Sequence, residues 1–168
     1  MEKLNVKKYN ISQLTIDAPH KITNGYNFRI LYCGNEFCLQ TPLCYVDEVD
    51  VKSKKQYIKV SFELSKNFNH FQFFCGLNQQ IKETVESKGF IQELDSSSKR
   101  ENDLMILRIK LNKETKFFDK KQTEISGLEI KKGDKVVVLL ENKGVFADEK
   151  GVIFRWTGSQ VLRFKEIN

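Results

Sequence analysis

Lys143-Gly144-Val145-Phe146-Ala147, Gly151-Val152-Ile153-Phe154-Arg155-Trp156-Thr157-Gly158 and Val161-Leu162-Arg163-Phe164-Lys165 are three short apolar or alternating runs in the last quarter of the chain. Asp148-Glu149-Lys150-Gly151 and Thr157-Gly158-Ser159 separate them, and glycine supplies the positive backbone angles that tight hairpin turns require. The pattern predicts a β-meander. Strand geometry sends Phe154 and Trp156 to one face and Arg155 to the other, and it places Arg163 and Lys165 together on a face of the next strand. A sheet face that carries rings and cations holds a base and its phosphate together.

Upstream, the same period of two recurs. Residues 135–141 contain Val136-Val137-Val138-Leu139-Leu140, apolar enough for a strand buried on both faces. In residues 104–111, Met105, Leu107, Ile109 and Leu111 face a core, while Leu104, Ile106, Arg108 and Lys110 face outward. Residues 57–65 alternate most cleanly: Ile58, Val60, Phe62 and Leu64 point inward, and Tyr57, Lys59, Ser61, Glu63 and Ser65 point outward. Ser53-Lys54-Lys55-Gln56 is the charged turn before that strand. Tyr26, Phe28, Ile30 and Tyr32 predict one further strand, residues 36–40 a returning one and residues 43–51 an extended piece.

One helix interrupts these strands. Phe71, Phe74, Leu77, Ile81 and Val85 recur at three- and four-residue spacing over residues 68–88, so the helix covers a sheet or plugs a barrel. The serine-rich run over residues 95–103 predicts a mobile loop, and residues 10–16 an edge strand within a peripheral N-terminal segment, residues 1–24. Many short strands around one amphipathic helix predict a mainly β fold, an OB-like β-barrel forming one domain over residues 1–168.

Composition narrows the function. At 168 residues, 40 % hydrophobic and 30 % charged, the chain is long enough for one real core and has no run long enough for a membrane helix. The start, Met1-Glu2-Lys3, lacks a secretory leader, which predicts an intracellular protein with reduced thiols. A net charge of +6 favours an acidic partner, nucleic acid before membrane. Thirteen Phe and five Tyr leave rings available for binding.

Catalytic chemistry finds no support. His20 and His70 are the only histidines, and there is no Gly-rich phosphate loop. Asp47-Glu48-Val49-Asp50 reads as a solvated turn, and Cys33, Cys38, Cys44 and Cys75 lack the paired spacing of a zinc ribbon. No cofactor or metal is expected. The candidate nucleic-acid-binding cations are Lys54, Lys55, Lys59, Arg108, Lys110, Arg155, Arg163 and Lys165. Tyr57 and Trp156 are the candidate stacking rings, with Trp156 equally suited to the core because it shares a face with Val152 and Phe154.

Tyr32-Cys33-Gly34-Asn35-Glu36-Phe37-Cys38-Leu39-Gln40-Thr41-Pro42 resembles a tyrosine-glycine turn running into a leucine-glutamine-threonine-proline element. With Val60-Ser61-Phe62, the Gly151-to-Trp156 spacing and Gln160-Val161, it is similar to a family of small proteins of nucleocytoplasmic large DNA viruses, the African swine fever type among them. Asn35 stands where that pattern has a second glycine, and Ala147 where it has an aromatic. The resemblance implies an OB-like, single-stranded-DNA-binding viral protein acting in replication or repair, in the host cytoplasm or nucleus. DNA is favoured over RNA, and edge strands leave homo-oligomerisation open. A virion scaffold with no nucleic-acid activity is the alternative from another class.

Overall fold

A computed structural model describes residues 1–164. The chain is mainly β, with one long helix. In order it forms β1 (Glu2–Leu4), β2 (Leu14–Ile16), β3 (His20–Ile22), β4 (Gly25–Phe28), β5 (Ile30–Tyr32), β6 (Phe37–Gln40), β7 (Cys44–Asp50) and β8 (Tyr57–Glu63). Then come α1 (Phe68–Ser87), β9 (Leu94–Ser96), β10 (Ser98–Glu101), β11 (Leu104–Lys110), β12 (Lys116–Phe118), β13 (Glu124–Ile125), β14 (Lys135–Ala147) and β15 (Val152–Phe164). Among the described residues no helix is long and apolar enough to cross a membrane.

β14 organises the sheet. It pairs antiparallel with β15 along nearly its whole length, and its other edge is shared in turn by β4, β6 and β7. β7 pairs with β8 and β8 with β11, both antiparallel, and β11 meets β15 in parallel through Lys110 and Thr157. The ladders β14–β7, β7–β8, β8–β11, β11–β15 and β15–β14 therefore return to the strand from which they start.

The terminal meander is corrected. β15 runs unbroken through Thr157-Gly158-Ser159, and the only turn between the two long strands lies at residues 148–151. Gly158 is there for space: a Cβ on it would lie 3.1–3.3 Å from Leu111, Ile109 and Val138 side-chain atoms. Gly144 does need a positive φ, +89°, at the irregularity between Asn142 and Val145, where β14 bends.

The alternations at β8 and β11 place Ile58, Val60, Phe62, Met105, Leu107 and Ile109 in the core. α1 buries Phe71, Phe74, Leu77, Ile81 and Val85 as its spacing requires, and Phe73 besides. Its Phe74 ring meets Trp156 edge-on at 5.9 Å. The helix thus covers the sheet at the β15 side.

Other expectations change. The strand predicted through Tyr26 and Tyr32 splits at Arg29, whose guanidinium pairs with Asp17 at 2.8 Å, so β4 joins β14 while β5 joins β2. The N-terminal edge strand begins instead with a 3-10 turn, Ile11–Gln13, capped by the Asn10 side chain. The serine-rich loop is β9 and β10, with Ser96, Ser97 and Ser98 buried. Their hydroxyls are satisfied: Ser96 Oγ donates to Asn78 Oδ1 of α1 at 2.7 Å, and Ser97 Oγ accepts from the Trp156 amide at 3.0 Å.

Gly144→Ala tests the bend. A Cβ there would lie 2.3 Å from the Phe28 carbonyl oxygen. The left-handed backbone alone costs about 1–3 kcal/mol, so a clear fall in the urea midpoint is expected, and an unchanged midpoint would show that β14 does not depend on this bend.

Candidate nucleic-acid interface

Directly opposed residues of an antiparallel ladder point to the same side, so the register maps the outer face of β7, β8 and β11 row by row. One row carries Asp50, Tyr57, Lys110 and, on β15, Thr157. The next carries Glu48, Lys59 and Arg108. The third runs Lys135, Tyr45, Ser61, Ile106 and Lys99 across β14, β7, β8, β11 and β10. The pairing therefore gathers Tyr57, Lys59, Arg108 and Lys110 from two strands onto one patch. Lys54 and Lys55 are exposed in the loop that enters β8 beside Tyr57.

Within the patch, the Arg108 guanidinium lies 3.9 Å from the centroid of the Tyr57 ring. The Tyr57 hydroxyl donates to Glu48 Oε1. That bond favours the neutral phenol and holds its pKa above the ordinary value. The ring is thus fixed at its hydroxyl and covered on one face by a cation. Asp50 turns inward on its own loop, accepting from the Lys52 and Ser53 amides at 3.0 and 3.1 Å, which keeps its carboxyl below the usual range. In the third row Lys135 Nζ sits 5.4 Å from the centroid of Tyr45, a ring 45 % exposed. Tyr45 is hidden in the sequence by a bulge between Val46 and Glu48 that breaks the alternation of β7. Lys99 lies in the stretch that reads as a loop and is β10, and Lys135 opens a run that reads as buried on both faces.

The remaining candidates lie elsewhere. Trp156 is 0 % exposed, packed edge-on against Phe154 at 5.0 Å, so it is a core residue and offers no face to a base. Arg155 is tied to β9: its Nη2 lies 2.6 Å from Asp95 Oδ2, and its Nη1 donates to the Asp95 carbonyl at 2.7 Å. Arg163 opposes buried Val136 and donates to the Glu129 carbonyl at 3.1 Å, which places it on the inward side of β15 at the sheet's end. Lys165 lies outside the described residues. Among the described residues no group of three His, Cys, Asp or Glu side chains is placed to hold a metal, and burial pushes the Cys44 thiol up to about 12.

The chain matches no protein-family model and no curated protein sequence. Solved structures do match. The single-stranded DNA-binding protein from bacteriophage Enc34, in complex with ssDNA, aligns with a TM-score of 0.59 at 10 % identity, over 91 % of this chain and 97 % of that one. The chain shares that fold. The same phage protein in another structure gives 0.58 at 12 % identity, over 92 % of each chain. Gp2.5, a single-stranded DNA binding protein encoded by bacteriophage T7, gives 0.59 at 10 % identity, over 79 % and 88 %. These neighbours are each described as a single-stranded DNA-binding protein. They are phage proteins, so the comparisons support the fold that the viral resemblance implied and not membership of the nucleocytoplasmic large DNA virus family. Of the residues behind that resemblance, Leu39, Trp156 and Val161 are core, while Asn35, Gln40 and Gln160 are exposed.

Two outcomes follow from this geometry. Trp156→Ala empties a fully enclosed site and should cost about 3–5 kcal/mol in denaturant unfolding; a loss below 1 kcal/mol would contradict a core role. The Asp95 carboxyl is held below its usual range first by the hydrogen bond from Arg155. A depressed folded pKa gives stability that is present above the ordinary carboxylate range and lost as pH falls through the lowered value. The gap in urea midpoint between wild type and Asp95→Asn should therefore be larger at pH 7 than at pH 3.

Proposed function

We propose that this chain is a non-enzymatic, sequence-tolerant single-stranded-DNA-binding protein built on an OB-like β-barrel, which protects exposed strands during replication or repair. The observation that carries this reading is the outer face of β8 and β11, where the register places Tyr57, Lys59, Arg108 and Lys110 side by side. Cations there neutralise phosphates, while the tyrosines and the Arg108 plane give bases an apolar or π surface that every base can use. The returning set of ladders through β7, β8, β11, β15 and β14 supports the barrel. The phage neighbours, described as single-stranded DNA-binding proteins, support the ligand.

Stacking rings and phosphate-neutralising cations act on any base, which favours tolerance over specificity. Glu48 and Asp50 temper it: the face is mixed, with net positive charge supplied by Lys54, Lys55, Lys59, Arg108 and Lys110. Affinity then depends on displacing counterions from the strand, and it should fall steeply with salt.

Fluorescence anisotropy with labelled single- and double-stranded oligonucleotides, DNA and RNA, across a salt series tests the proposal. Tight, salt-sensitive retention of single-stranded DNA is expected. Tyr57→Ala should weaken it by about 1–3 kcal/mol, and reversing charge with Lys59→Glu and Arg108→Glu should also flatten the salt dependence. Absence of binding at low salt would overturn the proposal and leave scaffolding as the working function.

A further inference from the structure

β14 is apolar on both sides, and only one side faces the core. Val136, Val138 and Leu140 are buried there, while Val137 and Leu139 lie half-buried on the outer side. Val137 opposes Leu162 of β15, which opposes Phe118 of β12, giving an apolar row across three strands. Phe164 opposes Lys135 one row beyond. The result is a surface groove of about 440 Å³ with these apolar side chains as floor and walls.

Its polar lining is distinctive. Gln40, Leu139, Gln160 and Lys116 form one cross-strand row, and Gln122, from the turn between β12 and β13, lines the same groove. Lys3 also lines it, donating from Nζ to Gln40 Oε1. Among the described residues the lining contains no carboxylate, and the register sets Glu124 beside Phe118 and Glu141 beside Cys38 at its edges. Asp119, in the turn beside Gln122, is occupied by the Lys121 and Thr123 amides at 2.9 and 3.0 Å.

We propose that this groove holds an unstacked nucleobase of the bound single strand, a second base site beyond the β8–β11 face; the inference rests on the function proposed above. An apolar floor with two phenylalanines suits the face of a flat heteroaromatic ring. A primary amide presents both a donor and an acceptor, so glutamines pair with the edge of any base without choosing one. Lys3, Lys116 and Lys135 surround the groove in register, where the flanking phosphates of an extended strand would fall. The groove also adjoins the first patch, because Lys135 opposes Phe164 on one side and Tyr45 on the other. One strand of nucleic acid can pass from Tyr57 by way of Tyr45 and Lys135 into it.

Photocrosslinking of the full chain to a thymidine-rich oligonucleotide carrying 5-iodouracil at single positions, followed by peptide mass spectrometry, tests this directly. Crosslinks to Phe118 or Phe164 are expected at some positions and to Tyr45 or Tyr57 at others. Leu139→Glu should lower affinity about tenfold, and Gln160→Ala by a smaller factor, with circular dichroism confirming the fold in each. An oligonucleotide that binds but crosslinks only to the tyrosine peptides removes the groove and leaves the proposed function standing. Leu139→Glu that changes the oligomeric state with affinity unchanged would assign the groove to contact between copies and overturn the inference. Failure of the wild type to bind any oligonucleotide removes both readings.

Discussion

The β14–β15 ladder is the constraint on which the other elements depend. Two strands of thirteen residues bury Val136, Val138, Leu140, Val145, Ala147, Val152, Phe154, Trp156 and Val161 between them on one side. A flat ladder of that length could not keep its inner face on a small core. Two irregularities, at Leu139/Leu140 and Asn142/Val145, bend it, and the bend is what lets one edge of β14 serve β7, β6 and β4 in succession. Gly144 fits the second bend against the backbone of Phe28. Gly158 keeps β15 close enough for Ile109 and Leu111 to pack.

Each surface follows from that scaffold. With the inner faces of β8 and β11 committed to the core, their period of two leaves Tyr57, Lys59, Arg108 and Lys110 no choice but solvent. Antiparallel pairing then sets residues far apart in sequence opposite one another, Lys59 beside Arg108 and Tyr57 beside Lys110. Like charges in one row cost energy unless an anion joins them. Glu48 relieves that cost in part, opposing Lys59 and accepting from the Tyr57 hydroxyl. On the proposed function, a phosphate between Lys59 and Arg108 would relieve more of it. The patch is held in shape by the Tyr57–Glu48 hydrogen bond and by the Arg108 guanidinium over the Tyr57 ring.

Much of this was legible in the residues and some was not, for identifiable reasons. Alternation over residues 57–65 and 104–111 and the helical spacing from Phe71 to Val85 state which side is buried, because each is a local pattern imposed by one core. Turn glycines and packing glycines are the same letter, so Gly158 reads as a turn until Leu111, Ile109 and Val138 are seen around it. Serines read as loop until a distant partner satisfies them. Asn78 on α1 is that partner for Ser96 and Ser98, and the Trp156 amide is the partner for Ser97, so residues 96–98 are buried where β9 meets β10. Trp156 and Arg155 alternate correctly, but which of them is solvated depends on α1 packing over Trp156 and on β9 pairing beside β15. Tyr45 was hidden by the bulge that follows it, which places Tyr45 and Glu48 on one face although three positions separate them.

The apolar run in β14 makes the same point about function. A strand buried on both faces and a strand with one face in a groove have the same composition; only the neighbours distinguish them. Here β6 and β12 stop short of covering Val137 and Leu139, and they frame the opening with Gln40 and Lys116 rather than with apolar residues. A surface that needed only solubility would place charge on the strand itself. A surface that served another copy of the chain would do better without amides around its centre, since each must find a partner or lose its hydration. A flat ligand with polar edges satisfies the floor and the rim together. That chemistry is shared by every nucleobase, and it ties the second face of β14 to the charged rows that begin one strand away.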